Sequence, residues 1–310
     1  MNKLLKVLAA SALVATTLVG CGGKSPIAKA GLGVVTSEVA KDYSGNYQVN
    51  TTFAVVGLDS DVKIVDVKVD VAQSSPAAEG AKTKSKKDLK EEYGMKSASG
   101  IQNEWYEQIA AFEEACKGKT ADEVAAIETE KKDEEHNAVP KTGTDLAAGC
   151  TMNIGDFQAA VKKACENAVE VSAETVNVGY VMNIGKDYAG NGQLNTTIAM
   201  VAKDADGKIA AADLDVAQIS AAEGADTRTK TEKKEDYNMK AASGIQKEWY
   251  EQMAAFEAAV KGMTADEVAA IETEKKDDEH PSVPKAGTDL AAGCTMNIAD
   301  FQAAIANAMK

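Results

Sequence analysis

The chain has few aromatic residues and lacks the basic excess of a nucleic-acid-binding protein. Phe, Trp and Tyr make up 5% of its 310 residues, whereas 45% of the residues are apolar. This composition is typical of a globular protein. The formal net charge is −14. Because phosphate backbones are bound through an excess of Lys and Arg, no nucleic acid is expected as a partner. We interpret the acidity as a contribution to solubility.

Histidine is almost absent, which limits the chemistry that can be expected. The two histidines, His136 and His280, each lie in a Glu-His-x-x-Val-Pro segment beside Glu135 or Glu279. One histidine per segment is too little to predict a metal site. No Ser-His-Asp order and no pair of catalytic carboxylates stands out. Each histidine is either a loop residue held by its acidic neighbour, which the sequence favours, or a ligand contact or proton partner.

The apolar run near the N-terminus, residues 8–18, is too short to span a bilayer. It follows Lys3 and Lys6 and has the pattern of a secretory signal. The next residues, Leu-Val-Gly-Cys21, resemble a bacterial lipobox. The resemblance implies cleavage before Cys21 and acylation of its sulfur, and two acyl chains anchor a protein stably. We expect a signal peptide over 1–20 and a lipid-anchored tether over 21–30. An ordinary secretory signal is the alternative.

The rest of the chain consists of two copies of one repeated sequence unit. Residues 89–160 and 233–304 are identical at 58 of 72 positions. A period this long indicates a duplicated domain rather than a solenoid repeat. We expect domain 1 over 31–166, a linker over 167–177 and domain 2 over 178–310.

Each unit is predicted to be α+β, with a small antiparallel sheet followed by helices. Period-two alternation predicts strands over 48–58 and 64–71, joined by a turn at 59–61. The lysine-rich segment 82–90 is interpreted as a solvated loop. Three helices are expected to follow, one opened by a capping box at Ser99, one by a capping box at Thr120, and one with Asn153 and Asp156 as its cap and N3 residues.

The heptapeptide Asp-Leu-Ala-Ala-Gly-Cys-Thr occurs at 145–151 and again at 289–295. Its threonine is expected immediately before a helix N-terminus, where backbone amides and the helix dipole favour a phosphate. The small residues before it would let a large group or a modifying enzyme approach. An ordinary loop-to-helix cap is the alternative.

Both copies resemble the acceptor motif of covalently flavinylated FMN-binding domains. The matching residues are Asp145, Gly149, Cys150 and Thr151 in the first copy and Asp289, Gly293, Cys294 and Thr295 in the second. Many such motifs have Ser and Ala on either side of the glycine, where this chain has Ala148 and Cys150. The resemblance implies that a flavin transferase attaches one FMN to Thr151 and one to Thr295 through phosphoester bonds.

The mature chain is further similar to the lipid-anchored, two-domain flavoproteins of Gram-positive extracellular electron transfer. The similar stretches are 92–96, 104–108 and the lipobox. The resemblance implies an electron carrier rather than an enzyme, held on the outer face of the cell membrane. It would relay electrons from a membrane NADH dehydrogenase or quinol system to extracellular acceptors such as ferric iron. A non-redox lipoprotein that binds a ligand or bridges partners is the alternative.

Two further sets of residues keep two interpretations each. Trp105-Tyr106 and Trp249-Tyr250 could stack on a flavin ring, but helical spacing favours Trp105 as a core residue. Cys116 and Cys165 align with apolar residues of the second unit, which favours buried thiols. A disulfide between these two cysteines is the alternative in an oxidising compartment.

Overall fold

A computed structural model describes residues 27–310 and shows an α+β fold of helices and antiparallel sheets. The expected signal peptide and Cys21 lie outside the described residues. The tether was expected to reach residue 30, but Ile27–Thr36 is already a strand, β1. Among residues 27–310, no helix combines the length and the apolarity that crossing a bilayer requires.

The first half of the chain begins with a meander of antiparallel strands. After β1 come β2 (Ala40–Lys41), β3 (Tyr47–Leu58) and β4 (Ile64–Ser74). The central strand β3 pairs with both β1 and β4. The predicted strands over 48–58 and 64–71 are confirmed, and the turn between them begins at Asp59, whose carboxylate accepts hydrogen bonds from the Asp61 and Lys63 amides.

Helices and two short strands then cover one face of this sheet. They are α1 (Lys86–Leu89), α2 (Trp105–Cys116), α3 (Ala121–Ala125), β5 (Thr129–Glu130), β6 (Val139–Pro140), α4 (Asp145–Gly149) and α5 (Gly155–Glu166). The capping box at Thr120 is confirmed.

Two helix starts differ from the predicted ones. The helix expected from Ser99 begins at Trp105, because the capping box is formed by Glu104 and Glu107, and Gln102 has a positive φ of 57° that ends any helical run. Asn153 does not cap α5, which begins after Ile154. The Asn153 side chain instead holds the preceding loop, accepting from the Ala138 amide at 3.0 Å.

The lysine-rich segment 82–90 is not simply a solvated loop. It contains α1, a one-turn helix whose N-cap, Ser85, is fully buried and accepts a hydrogen bond from the Asp88 amide. Leu89 is also buried. A one-turn helix leaves too short a pattern in the sequence to be distinguished from a loop.

The second half repeats the same order of elements. It contains β8 (Thr175–Lys186), β9 (Gly192–Lys203), β10 (Ile209–Ser220), α6 (Lys230–Lys233), α7 (Trp249–Val260), α8 (Ala265–Ala269), β11 (Thr273–Glu274), β12 (Val283–Pro284), α9 (Asp289–Gly293) and α10 (Ala299–Ala308).

The segment between the halves is not a free linker. Val169–Ala173 forms strand β7, which pairs with β1 as an edge strand of the first sheet. The linker expected over 167–177 therefore reduces to the residues around Glu174, since β8 begins at Thr175.

The two sheets pack face to face. Alternate residues of β3, including Phe53 and Val55, share one core with Ile198 and Met200 of β9, and the other face of each sheet packs against its own helices. Strand β1 lies against β10, and β8 lies against β4. Because β8 is the counterpart of β1 and β10 that of β4, an approximate two-fold axis relates the halves.

Candidate functional site: a cleft at Thr151 and matching contacts at Thr295

The repeated heptapeptide is helical over its first five residues. Thr144 caps α4 by accepting a hydrogen bond from the Ala147 amide. A Cβ on Gly149 would lie 2.8 Å from the Ala111 Cβ, so this glycine lets α4 pack closely on α2. Thr151 follows α4 and does not stand immediately before a helix, because α5 begins only at Gly155.

A buried glutamine on α2 holds Thr151 in place. The Gln108 Oε1 accepts a hydrogen bond from the Thr151 amide at 2.9 Å and one from the Thr151 hydroxyl at 3.2 Å. The Gln108 Nε2 donates to the Ser99 hydroxyl and to the Asn103 carbonyl. Gln108 is fully buried, and these bonds use both ends of its amide. The hydroxyl of Thr151 therefore has a fixed position beside a polar group.

Thr151 lies at the edge of the largest described cleft near the motif, which has a volume of about 1050 Å³. This volume is at the upper end of the range of small-molecule sites. The walls combine aromatic, amide and basic side chains, among them Tyr43, Tyr93, Trp105, Gln48, Asn50, Gln73, Lys86, Lys132 and His136. A smaller cleft of about 440 Å³ lies on the other side and shares Lys132 and Thr151.

One wall of the large cleft is formed by a lysine and two aromatic rings. The Lys86 Nζ lies 5.3 Å from the centre of the Tyr93 ring and 6.0 Å from that of Trp105. Burial lowers the pKa of Lys86 to about 8, although the carboxylates of Asp70 and Asp156 act in the opposite direction. Trp105 is a core residue with an edge at the cleft, whereas Tyr106 points away and donates to Glu91.

Another part of the cleft presents three primary amides. The Gln73 Nε2 donates to the Gln48 Oε1 at 2.9 Å and to the Asn50 Oδ1 at 2.6 Å. These amides leave further donors and acceptors for a planar ligand with alternating carbonyl and N–H groups.

His136 lines the cleft, but its partner is not the predicted one. Its Nδ1 lies 2.8 Å from the Asp133 carboxylate, and Glu135 instead accepts a hydrogen bond from Tyr43. The bond from His136 lowers the pKa of Asp133. His280 and Asp277 form the same pair in the second half. Both histidines are therefore loop residues held by a carboxylate three positions earlier.

The second half repeats this arrangement closely. Gln252 accepts from the Thr295 amide at 2.9 Å and from its hydroxyl at 3.2 Å. The Lys230 Nζ lies 4.9 Å from the Tyr237 ring centre and 5.7 Å from that of Trp249. The glutamine contacts of the threonine and the lysine over two aromatic rings thus recur in both halves.

The other motif residues do not face the large cleft. Asp145 and Asp289 are exposed in the first turn of α4 and α9. Gly293 packs against Ala255 as Gly149 does against Ala111. Cys150 and Cys294 are fully buried, and burial raises the pKa of Cys150 to about 11.

Cys116 and Cys165 are free thiols; Cys116 is buried, as the sequence favoured, whereas Cys165 is only partly buried. Within residues 27–310, no group of three or more His, Cys, Asp or Glu side chains has an arrangement that could hold a metal ion.

The sequence reasoning missed Gln108 and Lys86. Gln108 occupies the apolar stripe of α2 between Trp105 and Phe112, and an amide at such a position in both copies is the signal that could have identified it.

No family model matches the chain, and no curated protein or solved structure was found to be similar to it.

Proposed function

We propose that the protein is an electron carrier with one FMN attached to Thr151 and one to Thr295. The observation that carries the proposal is a threonine hydroxyl fixed by a buried glutamine at the edge of a large cleft with aromatic, amide and lysine walls. The same hydroxyl and glutamine recur in the second half. The sequence resemblance to flavin acceptor motifs names the ligand that this cleft is proposed to hold.

The residues of the cleft fit such a group. The Thr151 hydroxyl is the attachment atom, and Lys132 is the cation that lines both clefts beside it. Trp105 and Tyr93 offer apolar surface to the ring, and the amides of Gln48, Asn50 and Gln73 suit its carbonyl and N–H edge. When bound, FMN supplies the capacity to accept and release electrons, and the protein supplies attachment and environment.

A covalent bond suits a protein outside the cell. A micromolar site holds its ligand with only about −8 kcal/mol, so released FMN would be lost by diffusion. We propose that Cys21 anchors the protein to the outer face of the membrane of a Gram-positive cell. A flavin transferase would load it, a membrane NADH dehydrogenase or quinol system would reduce it, and extracellular acceptors such as ferric iron would oxidise it.

The test of attachment is the intact mass of protein produced with a flavin transferase. We expect two FMN-sized additions, one in Thr151→Val or Thr295→Val, and none in the double variant. Valine keeps the branched shape and removes the nucleophile. Thr142→Val is the matched control, because Thr142 lines the smaller cleft outside the motif and should leave both additions.

The test of electron transfer uses the loaded protein. After chemical reduction it should be reoxidised by ferric iron, whereas the double Thr→Val variant should not react. Two retained additions in the double variant would contradict the attachment sites. A parent protein without covalent flavin would favour the non-redox ligand-binding alternative.

A further inference from the structure

Lys86, which lines the cleft at Thr151, and its counterpart Lys230 each lack an anionic partner. Among residues 27–310, the ammonium of Lys86 forms neither a hydrogen bond nor an ion pair, and the same holds for Lys230. Both side chains are half-buried and lie over two aromatic rings. An ammonium group in such a place has lost part of its hydration without gaining a carboxylate.

A buried carboxylate positions the short helix that carries this lysine. Asp70 is buried on β4, and its carboxylate accepts a hydrogen bond from the Lys87 amide at 3.1 Å, which fixes the start of α1. Asp215 and the Thr231 amide make the equivalent contact in the second half. In both halves the chain therefore uses a buried carboxylate to place a partly desolvated cation, and in the first half this cation lines the cleft.

The surrounding charges do not neutralise the lysines. Asp70 and Asp156 raise the pKa of Lys86 less than burial lowers it, and Lys82 approaches the same Tyr93 ring at 5.8 Å. Around Lys230, Asp215 is the one carboxylate that acts on its pKa. Both sites thus retain a cation available to a ligand.

We infer that Lys86 and Lys230 recognise negative charge on the aromatic ligand proposed for Thr151 and for Thr295. This inference rests on the proposed function, which makes that ligand FMN. An isoalloxazine ring that takes up two electrons and one proton gains one negative charge. An unpaired ammonium in a medium of low dielectric constant stabilises that charge, so each lysine should favour the reduced over the oxidised flavin.

The test measures the midpoint potential of a protein carrying one flavin. In a Thr295→Val background, Lys86→Met should lower the preference for reduced flavin about tenfold, which corresponds to about 30 mV for a two-electron couple. Titration with dithionite against a reference dye measures this shift. Lys86→Gln is the second variant if Lys86→Met loads poorly, and Lys86→Arg should retain the parent potential.

Lys84→Met is the matched control. The substitution removes the same charge from the same segment as Lys86→Met. The Lys84 side chain, however, is exposed, pairs with Glu92 at 3.7 Å and does not line the cleft. It should leave the potential unchanged. In a Thr151→Val background, Lys230→Met should reproduce the shift at the second flavin.

Thermal stability separates this role from a structural one. Because burial penalises the charged lysine, Lys86→Met should unfold at the same or a higher temperature at pH 7 while its potential falls. An unchanged potential in variants that carry flavin would overturn the inference. Absence of covalent flavin from the parent protein would instead overturn the proposed function.

Discussion

At the scale of single residues, Gln108 determines how the hydroxyl of Thr151 is presented. Gln108→Leu removes the acceptor and should slow flavin attachment at Thr151 about tenfold to a hundredfold, since small displacements of a reacting group have effects of this size. Gln108→Glu keeps an acceptor, so flavin should attach to Thr151 faster in it than in Gln108→Leu. Both variants lose the hydrogen bonds that the Gln108 Nε2 donates to Ser99 and Asn103, and both are destabilised.

The second half provides the control inside the same molecule. Peptide mapping should show normal loading at Thr295, where Gln252 is intact. Equal loading of both threonines in Gln108→Leu would contradict the positioning role.

The two halves differ in the charged residues around one glutamate. In the first half, Glu113 pairs with Lys87 at 2.6 Å. In the second half Thr231 replaces this lysine, and Glu257 lies near Asp213. Burial, with a smaller contribution from Asp213, raises the pKa of Glu257 to about 8.

The raised pKa of Glu257 predicts a pH dependence with a definite sign. Between about pH 4.5 and 8 the folded state binds a proton that the unfolded state has lost, so stability falls as pH rises through this window. Glu257→Gln should therefore unfold at a higher temperature than the parent protein at pH 8, with little difference at pH 4.5. Each kcal/mol corresponds to roughly 2–4 °C.

Glu113→Gln is the counterpart and should lower the unfolding temperature at pH 8, because it leaves Lys87 without its partner. Calorimetry at the two pH values measures both variants. A Glu257→Gln protein that is less stable at pH 8 would show that the carboxylate is stabilised by its surroundings.

At the scale of elements, two glycines of the first half make different demands. A methyl group on Gly149 would lie 2.8 Å from the Ala111 Cβ, whereas one on Gly155 would meet its nearest atom at 3.8 Å. Overpacking costs about 1–3 kcal/mol, and alanine gains roughly 1 kcal/mol over glycine in a helix. Gly149→Ala should therefore be destabilising, and Gly155→Ala neutral or stabilising.

Denaturant midpoints measure both glycine variants. The second half already has alanine at the position equivalent to Gly155, namely Ala299, and keeps glycine at the position equivalent to Gly149, namely Gly293. An increase in stability with Gly149→Ala would mean that α4 and α2 can move apart without loss.

The helices and strands differ in how well the sequence predicts them. The long strands β3 and β4 and the buried positions of α5 were predictable, because alternation and helical spacing record which face is buried. Helix starts were less predictable. Ser99, for example, has the sequence pattern of a helix cap, but its hydroxyl accepts a hydrogen bond from the Gln108 side chain. The bond between Gln108 and Thr151 joins residues 43 positions apart, and no local pattern encodes such a contact.

At the scale of the whole molecule, the duplication was visible in the sequence but the packing of its halves was not. Strands that are buried on both faces carry Val and Thr among their apolar residues, and this pattern is hard to distinguish from that of strands with one buried face. β7 is short and largely exposed, so its sequence resembled a linker. Contacts between the halves include the Lys163 to Glu232 ion pair at 2.5 Å and the tilted packing of the Phe53 ring on the Tyr180 ring, with ring centres 5.8 Å apart.

The shared core between the sheets predicts that the halves unfold together. A fragment covering residues 175–310 would expose the inner face of its sheet, which includes Leu194, Ile198 and Met200, all fully buried in the intact chain. An apolar face of this kind drives association, so the fragment should aggregate or form a dimer in place of the missing half. The intact chain should show one calorimetric transition, and Phe53→Ala, at a cost of about 3–5 kcal/mol, should lower that transition as a whole. Size-exclusion chromatography of the fragment and calorimetry of the full chain measure these outcomes. A monomeric, folded fragment together with two separate transitions would mean that each half is stable alone and that the sheet-to-sheet contact adds little.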